Sequence, residues 1–258
     1  MKLTFLGTGT SQGVPVIACS CKVCRSNDSH DKHLRTSALV ETDGGANILI
    51  DIGPDFREQM LRHQVTHLEG ILITHAHRDH VGGLDDIRSF NYVQHRNMDL
   101  FCNHEAAEAI VRDYHYIFAY HEFPGLPEAD LHELSGDEPF SVAGETVMPI
   151  KAMHKTLPVL GYRIGPLGYV TDANHIEPLE IDKLKGVEVL VINALRKQKH
   201  FSHFCLSEAL EVIEAVKPRE AYITHVSHEM GLYAEVSAEL PAHVHLAHDD
   251  QKLEINQK

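Results

Sequence analysis

The sequence predicts a layered α/β fold on mixed β-sheets. Short β-branched and apolar runs of strand length recur along the chain, helical patterns fall between them, and at least one pair of runs is joined by a hairpin turn. Strands are expected at 3–6, 37–42, 47–52, 70–74, 147–153, 168–171, 187–192 and 221–224. Asp43, Gly44 and Gly45 supply the turn between the second and third, so the sheets are not purely parallel. Helical patterns cover 55–63, 105–114, 206–216 and 230–240, the third opened by Ser207 before Glu208 and stopped by Pro218. The stretch 115–139, with Pro124, Gly125 and Pro127, has the weakest periodicity and reads as a loop or insertion near a substrate.

A chain of 258 residues can bury one substantial core, so 1–258 is expected to form a single domain. Apolar residues make up 43% and charged residues 23%, with no low-complexity tract, which excludes a disordered chain. The first residues pass from one Lys into a strand without the apolar stretch of a secretory signal, and no run approaches the roughly 18 apolar residues that span a bilayer. A cytoplasmic protein with reduced cysteines is the expectation. The formal net charge of −14 opposes nucleic acid and anionic membranes as partners. Histidine stands out, with 21 copies against no Trp, which favours metal chemistry.

The strongest motif is Thr74-His75-Ala76-His77-Arg78-Asp79-His80, directly after the apolar run that ends at Ile73. One ion cannot take all four donors without strain, whereas His75 with His77, and Asp79 with His80, can divide between two neighbouring ions. His154, Asp172 and His225 each follow a predicted strand in the same way, where connecting loops carry function. Asp51 also ends an apolar run, ahead of Gly53, and fits a turn as well as a site.

An HxHxDH loop followed by a distant His, Asp and His resembles the signature of the metallo-β-lactamase-fold hydrolase superfamily, and the resemblance covers nearly the whole chain. It implies a four-layer αβ/βα sandwich, two mixed β-sheets flanked by helices. It also implies that His75, His77 and His154 hold one ion, that Asp79, His80 and His225 hold the other, and that Asp172 bridges them. Asp51 would stand behind the ligands, accepting a proton from one imidazole and fixing its tautomer.

Cys19, Cys21 and Cys24 form CxCxxC in a turn-rich loop at about 15–30, and need one more ligand to complete a tetrahedral zinc site. With the start Leu6-Gly7-Thr8-Gly9-Thr10-Ser11-Gln12-Gly13-Val14-Pro15 and the late Thr224-His225-Val226-Ser227-His228, the triplet narrows the resemblance to the PhnP-like branch of cyclic phosphate phosphodiesterases. By that resemblance His228 is the fourth ligand of a structural zinc. Cys102 and Cys205 are expected to be packing residues. The glycine-rich start lacks the GK[ST] ending of a phosphate-cradling loop and reads as a turn shaping a pocket.

Two divalent ions, zinc, manganese or iron, would bridge a hydroxide nucleophile, so hydrolysis is the expected chemistry. The resemblance makes His203, in His200-Phe201-Ser202-His203-Phe204, the general acid beside Asp79 in the catalytic set. Arg196, Lys197 and Lys199 form a cationic run that fits either a phosphate or a solvated loop. A small or cyclic phosphodiester is the expected substrate. The alternatives are tRNA 3′ processing, disfavoured by the acidic charge, a non-catalytic carrier like the relatives in pyrroloquinoline quinone biosynthesis, and thioester or lactone hydrolysis. Relatives of this kind often pair, so a homodimer is the corresponding expectation.

Overall fold

The computed structural model describes residues 1–119 and 125–256. The first half of the chain builds β1 (Lys2–Gly7), β2 (Ser37–Glu41), β3 (Asn47–Ile50), α1 (Phe56–His63), β4 (Gly70–Leu72), α2 (Arg78–Val81), α3 (Arg88–Gln94), β5 (Met98–Asn103), α4 (His104–Asp113), α5 (His115–Ala119) and β6 (Ala129–Leu134). The second half builds β7 (Phe140–Val142), β8 (Glu145–His154), β9 (Leu157–Ile164), β10 (Leu167–Val170), α6 (Pro178–Leu184), β11 (Val189–Asn193), α7 (Leu206–Val216), β12 (Glu220–Thr224), α8 (Tyr233–Glu239), β13 (Val244–Leu246) and β14 (Lys252–Glu254).

The strands form two seven-stranded sheets, ordered β14-β1-β2-β3-β4-β5-β6 and β13-β12-β11-β10-β9-β8-β7. Each sheet is mixed. In the first, β14, β1, β2 and β3 pair antiparallel and β3 to β6 parallel. In the second, β7 to β10 pair antiparallel and β10 to β13 parallel.

Period-two alternation assigns each strand residue to a layer. Ala38, Val40, Ile48 and Ile50 meet Tyr162, Tyr169, Val189 and Val191 in the core between the sheets. Leu39 and Leu49 point the other way, onto Phe56 and Met60 of α1 and Phe90 of α3. On the far side Leu190 and Ile192 pack against Leu184 of α6 and Val212 and Ile213 of α7. The order is therefore helix, sheet, sheet, helix, as expected.

All eight expected strands and four expected helices are present within a few residues of their expected limits. Helix α7 spans the expected 206–216, and Cys205 rather than Ser207 caps it: the Cys205 backbone N–H donates to the Glu208 carboxylate at 3.0 Å. Cys205 is thus a cap as well as a packing residue, while Cys102 lies buried in the core under α4 as expected. The 115–139 stretch is less irregular than its periodicity suggests, carrying α5 and then β6, which extends the first sheet parallel to β5. Residues 120–124 of that stretch, including Pro124, lie outside the described residues.

Candidate metal centre

The strand ends converge. His75 follows β4, Asp172 follows β10, His225 follows β12 and His154 is the last residue of β8. Asp51, Asp172 and His225 all take left-handed backbone, with φ of 60°, 54° and 56°. Such a conformation costs a non-glycine residue about 1 kcal/mol or more and turns the chain sharply out of the sheet. The ligand loop itself is held by close backbone approach: a Cβ on Gly53 would lie 2.2 Å from the Asp79 carbonyl oxygen, and Ile52 N–H donates to the His80 carbonyl at 2.7 Å.

Three donor groups result: Asp79, His80, Asp172 and His225; His75, His77 and Asp172; and His154, Asp172 and His203. Asp172 is common to all three. His80 Nε2 lies 3.3 Å from Asp79 Oδ2 and 3.5 Å from Asp172 Oδ2, and His75 Nε2 lies 3.5 Å from Asp172 Oδ2. His154 shares a donor group with Asp172 and His203, and its ring also lies 5.7 Å from that of His75 and 5.2 Å from that of His77.

These atoms fit cation ligands better than hydrogen-bond partners. His225 Nε2 is 2.7 Å from Asp172 Oδ1, yet it is buried without a properly aligned hydrogen bond, as is His80 Nε2. Zinc–nitrogen and zinc–oxygen bonds of about 2.1 Å imply donor–donor edges of roughly 2.9 to 3.4 Å; the 3.3 Å separation lies in that range and those of 3.5 and 2.7 Å just outside it. The donor set of imidazole and carboxylate suits zinc, manganese or iron.

Asp51 makes the contact expected of it. Its Oδ2 accepts from His80 Nδ1 at 2.7 Å, and its Oδ1 accepts from Thr74 N–H at 2.8 Å. Holding the proton on Nδ1 leaves the His80 Nε2 lone pair facing Asp79 and Asp172. Nothing in the residue types marked Thr74, whose hydroxyl also donates to Asp51 Oδ2 at 2.9 Å.

Burial opposes charge on His225, but Asp172, followed by Asp79, outweighs it and holds the imidazole at about 9. His80 is likewise raised, burial being outweighed by Asp172, Asp51 and Asp79 together. Asp172 stays well below the carboxylate range, because His225 and His80 overcome its burial. The same carboxylates that favour positive charge on these imidazoles would favour a bound cation in its place. His203 lies against them, its ring centroid 4.6 Å from that of His154 and 5.1 Å from that of His225, and burial lowers it to about 3.

A separate cluster joins Cys19, Cys21 and Cys24 to His228. The sulfurs lie 3.3, 3.4 and 3.6 Å from His228 Nδ1. Zinc–sulfur and zinc–nitrogen bonds at a tetrahedral angle give an edge of about 3.6 Å, so the group fits one zinc ion. The backbone N–H of Cys24 lowers Cys21 to about 6, while burial raises Cys24 to about 11.

The cationic run turns out to be paired: Arg196 with Glu229, Lys197 with Glu239 and Lys199 with Glu208. Of its two readings, the structure favours a surface loop. The glycine-rich start does border a pocket, with Thr10 N–H donating to the Val226 carbonyl, next to His225, at 3.1 Å. Among the described residues no helix is long and apolar enough to cross a membrane.

The family model described as the Beta-lactamase superfamily domain matches residues 46–226. A Porphyromonas gingivalis protein named Octanoyltransferase is 42% identical over 259 residues, spanning 100% of this chain and 52% of its own length. The chain spans between 32% and 56% of the length of seven other curated relatives. A solved structure described as a new diphosphatase from the PhnP family is 36% identical, with a TM-score of 0.91 over 99% of this chain and 98% of that one. Zinc-bound PqqB from Methylobacterium extorquens, 16% identical with a TM-score of 0.79 over 99% of this chain and 100% of its own, shares the fold.

Proposed function

The chain belongs to the metallo-β-lactamase-fold hydrolases, on their PhnP-like side, and from that premise we propose that it is a binuclear metal-dependent phosphodiesterase acting on a small or cyclic phosphodiester. The observation that carries this reading is the position of Asp172, shared by donor groups on either side of it. His75, His77 and His154 would hold one ion, Asp79, His80 and His225 the other, with Asp172 shared between them. When bound, such ions make a water acidic enough to attack at neutral pH and offset charge on the attacked phosphate.

The chain's own residues do the rest. Asp51 keeps the His80 proton on Nδ1, so that Nε2 is free to ligate. His203 carries the proton for the leaving oxygen. In the substrate-free chain burial holds it neutral, and an incoming phosphate supplies the negative charge that favours its protonated form. The Cys19, Cys21, Cys24 and His228 group would take a structural zinc, tying the amino-terminal loop to the strand end that carries His225.

Octanoyltransferase is the name of a protein of which this chain matches 52%, which makes acyl chemistry the rival to test. Purified protein loaded with zinc or manganese should hydrolyse bis(p-nitrophenyl) phosphate, and Asp172→Ala should abolish that activity. Turnover of an octanoyl thioester with none of the diester would overturn the reading.

A further inference from the structure

The donor cluster is open towards His77 and His154. His75, His80, Asp172 and His225 are buried, whereas His77 is exposed and His154 half-buried, so a substrate reaches the cluster past these two imidazoles. Beside His154 stands Phe201, which is 69% exposed and lies two residues before His203. Resting on the phosphodiesterase reading above, we propose that Phe201 is a stacking platform for a nucleobase. The preferred substrate would then be a nucleoside phosphodiester whose leaving oxygen belongs to the nucleoside.

The ring is held from two sides. Lys155 takes left-handed backbone (φ 59°) directly after His154, and its N–H donates to Asn174 Oδ1 at 2.6 Å. Its Nζ lies 5.4 Å from the centre of the Phe201 ring. On the loop itself the His200 ring centroid is 4.4 Å from that of Phe201 and 5.2 Å from that of His203. That loop is tied down where Phe204 N–H donates to the Ala173 carbonyl at 2.8 Å. Both supports therefore hang from Ala173 and Asn174, the two residues after Asp172, and Phe201 is set in place relative to the donors before a substrate arrives.

The place and the surroundings of the ring select the ligand. A proton donor must sit beside the leaving oxygen, so a group attached to that oxygen extends over the loop that carries His203 and meets Phe201. An alkyl chain would want an apolar groove, but the neighbours of this ring are a lysine and a histidine. A nucleobase suits them better, with a flat face for the phenyl ring and polar edges for Lys155 and His200.

Adenosine 2′,3′-cyclic phosphate and methyl riboside 2′,3′-cyclic phosphate share the reacting group and differ in the base alone. Wild-type protein loaded with zinc or manganese should favour the first in kcat/KM, and Phe201→Ala should reduce that preference about 5- to 150-fold, chiefly through KM. Phe201→Tyr should keep it, whereas Phe201→Leu should lose most of it, since leucine is apolar without a ring face. The proposal is wrong if the wild type has no such preference, if Phe201→Ala lowers both rates alike, or if Phe201→Leu retains the preference in full. If the wild type cleaves neither compound, saturation-transfer NMR with adenosine judges the platform alone. A signal on the adenine protons that Phe201→Ala loses supports it, and no signal, or an equal one in both proteins, overturns it. Failure on bis(p-nitrophenyl) phosphate as well would sink the phosphodiesterase reading separately.

Discussion

Replacing Asp51 by Asn should weaken metal binding at the His80 position with little change in side-chain size. Asp51 accepts at both oxygens: Oδ1 from the Thr74 backbone N–H at 2.8 Å, Oδ2 from the Thr74 hydroxyl at 2.9 Å and His80 Nδ1 at 2.7 Å. An Asn that keeps its oxygen on the Thr74 N–H must turn its NH2 towards His80 Nδ1, which then has to be the acceptor. The imidazole proton moves to Nε2 and faces Asp79 and Asp172 where the lone pair is needed. The reverse orientation sets two N–H groups against each other in a site with no water access. Losing such a support typically costs about 10- to 100-fold in metal affinity, or roughly 1.4 to 2.7 kcal/mol. Competition titration against a chromogenic chelator measures it, with the Cys19, Cys21, Cys24 and His228 site as an internal reference that should not change. Wild-type affinity at every site in Asp51→Asn would refute the tautomer argument.

Four further outcomes are expected. His203→Asn should retain metal content while turnover of a phosphodiester with a poor leaving group falls about 10²- to 10⁴-fold; an unchanged rate would remove its role as acid. Cys24→Ser should lose one zinc per chain by elemental analysis and leave the His and Asp cluster loaded, whereas full zinc retention would contradict the tetrahedral assignment. Metal uptake should release protons, with apparent affinity rising up to about pH 9, where His225 loses its proton unaided. An affinity that did not change with pH would contradict this. In metal-free protein the His225 contribution to stability is complete below the ordinary value of 6.5 and is lost as pH rises through about 9. Urea midpoints should therefore drop over that interval, and drop less in His225→Gln.

Most of the donor set was legible because its chemistry is periodic in the sequence: an apolar strand, then His or Asp, at widely separated places. His75, His77, Asp79, His80, Asp172 and His225 were found in that way and converge in space. The packing of His154 against His203 was not legible, because it depends on the approach of the loop bearing His203. Strand β9 was missed because Pro158 and Gly161 interrupt its pattern, and its pairing with β8 and β10 on both sides overrides that weakness. The hydrogen bond from Arg78 to Tyr114, 36 residues later, was not legible either, since no local pattern connects the two.

Anomalous diffraction from crystals grown with zinc or manganese tests the metal assignment most directly. The structure leads to two peaks flanking Asp172, among His75, His77, Asp79, His80 and His225, and a third among Cys19, Cys21, Cys24 and His228. Fully metallated crystals with a peak at the cysteines and nothing beside Asp172 would contradict the proposed hydrolytic centre.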